Sequence, residues 1–100
     1  MAGKKILLVE DEPALRQALA EQLALHEEFE VRQADSAAAA LAAVKADLVD
    51  LMLLDVGLPD MDGRELCRLL RRQGVRCPIV MLTAAAGDAD TILGLSLIHI

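Results

Sequence analysis

The stretch LMLLDVGLPDMDG, residues 51–63, decides how this chain is read. Leu51, Met52, Leu53 and Leu54 run without a polar break, and Asp55 follows at once. Gly57, Pro59 and Gly63 then supply turn chemistry. A continuous apolar run closed by turn residues suits a strand buried on both faces of a parallel sheet. Such sheets place their sites beyond the carboxyl ends of the strands. Asp55 stands where the strand leaves the core, and a carboxylate at that point needs a chemical reason.

Working outward, the same punctuation recurs. The run Ile6 to Val9 ends in Glu10, Asp11 and Glu12, with Pro13 next. Asp11 or Glu12 can cap a helix, and proline suits its first turn. Leu15, Leu19 and Leu23 then share a stripe with Ala18, and the helix fades near His26. Phe29 to Ala34 alternates apolar and polar, as an edge strand does. Asp35 and Ser36 are cap residues ahead of a helix-forming run, Ala37 to Lys45. The central strand covers about Val49 to Leu54. A helix over Arg64 to Arg72 follows, with Leu66, Leu69 and Leu70 inward, arginines outward and Gly74 at its end. Pro78 to Leu82 is another apolar strand, closed by Thr83. Asp88 or Asp90 is placed to cap a fourth short helix through Leu93. Strand and helix alternate four times, which predicts an α/β layer structure with a parallel sheet and right-handed crossovers.

Polar groups sit at three strand ends: Glu10 and Asp11 after the first, Asp55 after the third, Thr83 after the fourth. If the first and third strands are neighbours, the carboxylates converge, repel one another and call for a cation. Carboxylate oxygens with room for water suit Mg²⁺, which favours one or two carboxylates plus a phosphate oxygen. An aspartate in such a site can act as a nucleophile on phosphorus, giving an acyl phosphate. Thr83 offers a hydroxyl to the phosphoryl group. Taken singly, Asp11 and Glu12 read as caps, Asp55 as a turn residue and Thr83 as a strand-end hydroxyl. Their recurrence at successive strand ends of one alternating pattern is what outweighs those plain readings.

Composition bounds the rest. The chain has 100 residues, a net charge of −6 and an apolar fraction of 55%, with Phe29 the only aromatic residue. One small domain with an aliphatic core is expected. An acidic domain is a poor direct binder of nucleic acid or of an anionic membrane, since both need Lys and Arg. The N-terminal apolar run is too short for a signal peptide and no stretch reaches the length of a membrane span. Cys67 and Cys77 have no metal-ligand spacing and read as small buried hydrophobes in a reducing cytosol.

The stretches KKILLVEDEPALR (4–16), LMLLDVGLPDMDG (51–63) and PIVMLTA (78–84) together resemble the receiver domain of bacterial two-component response regulators. The resemblance implies a flavodoxin-like doubly wound sheet of order 2-1-3-4-5. It implies that Asp55 is the phosphoacceptor and that Glu10 and Asp11 hold Mg²⁺, Asp11 ahead of Glu10 as direct ligand. It makes the backbone carbonyl of Gly57 a further metal contact, Thr83 the switch hydroxyl and Ala84 the small neighbour that leaves room for the phosphoryl group. Pro59 and Gly63 shape the loop into the third helix. The implied partner is a sensor histidine kinase or phosphotransfer protein in the cytoplasm, and the implied role is a signalling switch rather than a metabolic enzyme.

The departure is at the end. Receiver domains continue into a fifth strand ending in lysine and then a fifth helix, whereas no lysine occurs here after Lys45. Residues 1–94 are therefore read as an incomplete receiver domain of order 2-1-3-4, and residues 95–100 as a tail that does not match. On that reading the output domain is lost, Pro78 to Leu82 is an open edge, and self-association is expected. Two alternatives stay open. One is a receiver fold that serves only as a non-switching interaction domain. The other is an aspartyl phosphohydrolase, although Gly57 stands where that chemistry wants a second acid.

Overall fold

The structure is a computed structural model that describes residues 3–84 and 95–99. Its elements run β1 (Lys4–Val9), α1 (Pro13–Ala24), β2 (Phe29–Ala34), α2 (Ala37–Ala46), β3 (Leu51–Asp55), α3 (Gly63–Arg72), β4 (Ile79–Ala84) and β5 (Leu95–His99). The sheet order is β2-β1-β3-β4-β5. The first four strands are mutually parallel in the expected order 2-1-3-4. The helix expected to end at Leu93 lies outside the described residues.

One expectation is corrected. The edge of β4 is not open, because β5 pairs with it, from Val80 opposite His99 to Ala84 opposite Leu95. The pairing is antiparallel, so β5 does not continue the parallel sheet that the resemblance implies. An unpaired edge exposes a row of N–H and C=O groups, and any nearby segment with an extended backbone gains hydrogen bonds by joining it.

The helices start where capping chemistry starts them. The Ala14 amide donates to Glu12 Oε1 (2.9 Å), with Pro13 in the first turn of α1. The Ala39 amide donates to Ser36 Oγ (3.1 Å) at α2. The Arg64 amide donates to Asp62 Oδ1 (2.7 Å) at α3. Helix α3 ends at Gly74, whose φ of 92° is a left-handed conformation that favours glycine.

The two faces of the sheet are covered unequally. Alternation sends Leu7, Val9, Met52, Leu54, Ile79 and Met81 to one side, where they are buried with Ala37 and Ala40 of α2 and Leu66, Cys67 and Leu70 of α3. Alanine at the α2 contact lets that helix sit close to the strands. On the other side, Leu8 and Leu82 pack with Ala20 of α1, while Leu53 and Val31 are only partly buried. The expected α1 stripe is largely kept: Leu15, Leu19 and Leu23 are half-buried, whereas Ala18 is exposed and Ala20 is buried. Arg16 of the same helix is half-buried, its guanidinium donating to the Glu10 carbonyl (3.0 Å) and to Gln33 Oε1 (3.2 Å). In α3, Cys67 is buried and Leu69 only partly so. Both cysteines are free and packed in or against the larger core, as expected of small hydrophobes.

Gly63 decides how β3 leads into α3. A Cβ built there would lie 2.4 Å from the Asp55 carbonyl oxygen and 2.8 Å from the Val56 Cα, both backbone atoms. A Cβ at Gly57 would meet nothing within 4 Å. Gly63→Ala is expected to cost about 1–3 kcal/mol through overpacking. Gly57→Ala is expected to stay within about 0.5 kcal/mol of the parent. Urea denaturation of both variants checks this, and equal midpoints would contradict the close-approach argument.

Candidate functional site

The parallel pairing of β1 with β3 sets Val9 opposite Leu54, so the next residues of both strands, Glu10 and Asp55, emerge side by side. Glu10 is 2% exposed and Asp11 and Asp55 are half-buried. One carboxylate oxygen from each of Glu10, Asp11 and Asp55 lies within 4.8 Å of the others. This is the juxtaposition that the strand-end pattern anticipates.

Among the described residues, two backbone amides partner the cluster. Glu10 Oε2 accepts from the Glu12 amide (2.9 Å), and Asp55 Oδ1 accepts from the Gly57 amide (3.2 Å). Burial pushes the Glu10 carboxyl up to about 7, against the Glu12 hydrogen bond and with help from the Asp55 charge. Burial likewise raises Asp55, opposed by the Gly57 amide and assisted by Asp11. Three oxygen donors crowded at a strand-end cleft, two of them on groups whose ionised form is disfavoured, fit a hard divalent cation.

Thr83 lies on β4 one residue beyond Leu82, the partner of Asp55 in the β3–β4 register. The backbone thus brings its position to the same end of the sheet. Gly57 forms an isolated bridge with Asp62, and the Gly63 amide donates to the Val56 carbonyl (2.8 Å), which closes the loop after Asp55.

Asp60, which the sequence reading passes over, is held in an unexpected way. Its Oδ1 accepts from the Ala37 amide (2.9 Å) and its Oδ2 from the Ala38 amide (3.0 Å), at the start of α2. Those two amides hold the Asp60 carboxyl below its usual range. An acid after Pro59 is a visible signal, but nothing local says which helix it reaches.

The opposite end of the sheet is built differently. Asp47 pairs with Lys5 Nζ (2.7 Å) and with the Arg32 guanidinium (3.1 Å). The Lys5 hydrogen bond lowers the Asp47 pKa. A groove of about 520 Å³ near Asp47, Leu48, Arg76 and Cys77 also lies there, away from the acidic cluster.

Comparison with known proteins gives the family. The family model for the response regulator receiver domain matches residues 6–97, and the chain belongs to that family. It is 43% identical over 95 residues to the transcriptional regulatory protein TcrA of Mycobacterium tuberculosis, covering 95% of this chain and 37% of that protein. It is 40% identical over 95 residues to the alkaline phosphatase synthesis transcriptional regulatory protein PhoP of Bacillus subtilis, covering 95% and 39%. The chain therefore spans about two-fifths of the length of these relatives. Among solved structures, it resembles the response regulator TrrA of Thermotoga maritima in complex with Mg²⁺-BeF. The TM-score is 0.76 at 31% identity, over 89% of this chain and 76% of that one. A CheY-like receiver domain protein of Methanospirillum hungatei gives a TM-score of 0.78 at 29% identity, over 93% and 70%.

Stability should report the crowding. Folded Glu10 keeps its proton up to about 7 against an ordinary value of 4.5, so between these the folded state binds more protons than the unfolded state. Stability of the metal-free protein therefore falls as pH rises through that window. Asp55→Asn should flatten the fall by removing one repelling charge, and a divalent cation should suppress it by replacing the proton. Urea melts across the window, with and without Mg²⁺, check the slope; stability that rises there would contradict the account.

Proposed function

We propose that this chain accepts a phosphoryl group on Asp55 from the phosphohistidine of a sensor kinase or phosphotransfer protein. The observation that carries the reading is the meeting of Glu10, Asp11 and Asp55 oxygens within 4.8 Å at the carboxyl ends of two adjacent parallel strands. A carboxylate oxygen of Asp55 attacks phosphorus, the bond to the donor's imidazole nitrogen breaks, and the imidazole leaves with the electron pair. The product is an acyl phosphate on Asp55 and a free histidine on the donor.

Each neighbour has a role in this reading. Glu10, Asp11, Asp55 and the Gly57 backbone carbonyl are the set that holds Mg²⁺, Asp11 as the direct ligand of the pair. When bound, the ion neutralises charge on the carboxylates and on the transferring phosphoryl oxygens. Gly57 is free to contribute through its backbone alone, because nothing there requires a particular side chain. The Glu12 and Gly57 amides hold one carboxylate oxygen each of Glu10 and Asp55. Thr83 is assigned the switch hydroxyl because its position follows the β4 partner of Asp55. The Mg²⁺-BeF complex of the Thermotoga maritima relative supports the choice of cation.

The chain is then the signal-accepting part of a cytoplasmic switch. Its named relatives are transcriptional regulatory proteins more than twice its length, and any DNA contact is assigned to a domain other than this acidic one. The net charge of −6 agrees with that division. Among the described residues, no helix is long and apolar enough to cross a membrane. A second reading is a receiver fold that binds partners without switching, for which the sheet and its core suffice.

Acetyl phosphate with Mg²⁺ separates these readings. Intact-mass measurement should show one added phosphoryl group, lost in Asp55→Asn and on removal of Mg²⁺ by chelation. Modification that persists in Asp55→Asn, or that maps to Ser36 or Thr83, would sink the assignment. No modification of a folded sample would favour the interaction-only reading.

A further inference from the structure

The loop between Asp55 and α3 is fastened at both ends. The Val56 amide donates to the Leu82 carbonyl (3.1 Å), and the Gly63 amide to the Val56 carbonyl (2.8 Å). Its middle is fastened too, by a long-range contact. Asp60 is 22–23 residues from Ala37 and Ala38 in sequence, and its two oxygens accept from their two amides. Helix α2 does not need this for an ordinary start, because Ser36 already caps it at Ala39. The Asp60 contact uses the two amides that Ser36 leaves, and a charged acceptor makes both bonds strong.

The connection continues to the other half of the site. Helix α2 begins just after β2, and the Ala34 carbonyl at the end of β2 accepts from the Glu10 amide (3.0 Å). Asp60 thus closes a short circuit from the Asp55 loop, through the β2–α2 corner, to the strand end that carries Glu10. We infer that Asp60 is a positioning residue for phosphoryl transfer: it sets the Asp55–Gly57 segment against Glu10 and Asp11 by anchoring the loop to the first turn of α2. This rests on the reading of Asp55 as phosphoacceptor. Asp60 touches neither donor nor acceptor; it acts by where it holds the backbone.

The test compares Asp60→Ala with Ser36→Ala in the full chain. Both remove a cap of α2, but only the first frees the loop. Urea denaturation establishes that each variant is folded. With saturating Mg²⁺ and acetyl phosphate, Asp60→Ala should phosphorylate about tenfold more slowly than the parent, the scale set by a small misplacement of reacting groups. Ser36→Ala should keep the parental rate at a similar loss of stability. Asp60→Asn, which retains one acceptor oxygen, should fall between. Amide hydrogen exchange supplies an independent readout: Gly57 and Gly63 should exchange faster in Asp60→Ala than in Ser36→Ala. Equal rates of phosphorylation in the two alanine variants would overturn the inference. If the parent itself takes up no phosphoryl group, the Asp55 reading falls, and exchange alone decides the anchoring role: equal exchange in the two variants would overturn it.

Discussion

The parallel pairing of β1 with β3 is the constraint on which the site depends. Its register sets Val9 opposite Leu54 and so delivers Glu10 and Asp55 to the same level. A slip of one residue would send every side chain of a strand to the other face and separate the acids. The register is held by Leu7, Val9, Met52 and Leu54, all fully buried on one face. Burial of these side chains, at about 1.5–3 kcal/mol each, is what offsets the repulsion of carboxylates gathered at the strand ends. The acids are a local cost carried by a core that makes no contact with the chemistry.

The two ends of the sheet show how selectively that cost is placed. At the amino end, Asp47 has Lys5 and Arg32 as partners. At the carboxyl end, Glu10 and Asp55 accept from backbone amides, and no salt bridge to Glu10, Asp11 or Asp55 is present among the described residues. Arg16 comes close, but its guanidinium is spent on the Glu10 carbonyl and on Gln33 rather than on a carboxylate. Among the described residues, Lys5, Arg32 and Arg64 pair with Asp47 and Asp62 rather than with the cluster. Burial first, and the Asp55 charge after it, raise the Glu10 pKa to about 7, the kind of perturbation that gathers at functional sites.

Much of this was legible in the residue order because it depends on local chemistry. Uninterrupted apolar runs before Asp55 and Thr83 marked interior strands, FEVRQA marked the outer strand β2, and Ser36 and Gly74 marked helix ends. The acidic cluster was legible too, conditional on β1 and β3 being neighbours. What was misplaced concerned orientation and long-range contact. On α1 the leucines of the expected stripe are half-buried, but Ala20 rather than Ala18 is the buried alanine, a detail that periodicity alone does not register. The β4 edge carries an antiparallel partner because an open row of backbone groups recruits whatever extended segment can reach it.

The sequence by itself determined the alternation of strands and helices, the aliphatic core and the residue types at the strand ends. Each of these follows from neighbours a few positions apart. Tertiary structure alone decided the rest: the crowding of three carboxylates within 4.8 Å, the backbone approach that requires glycine at position 63, and the reach of Asp60 to Ala37 and Ala38. The physical reason is one of range. Propensity and capping act along the chain, whereas desolvation, repulsion and steric approach act through space between segments 20 or more residues apart, such as Asp60 and Ala37.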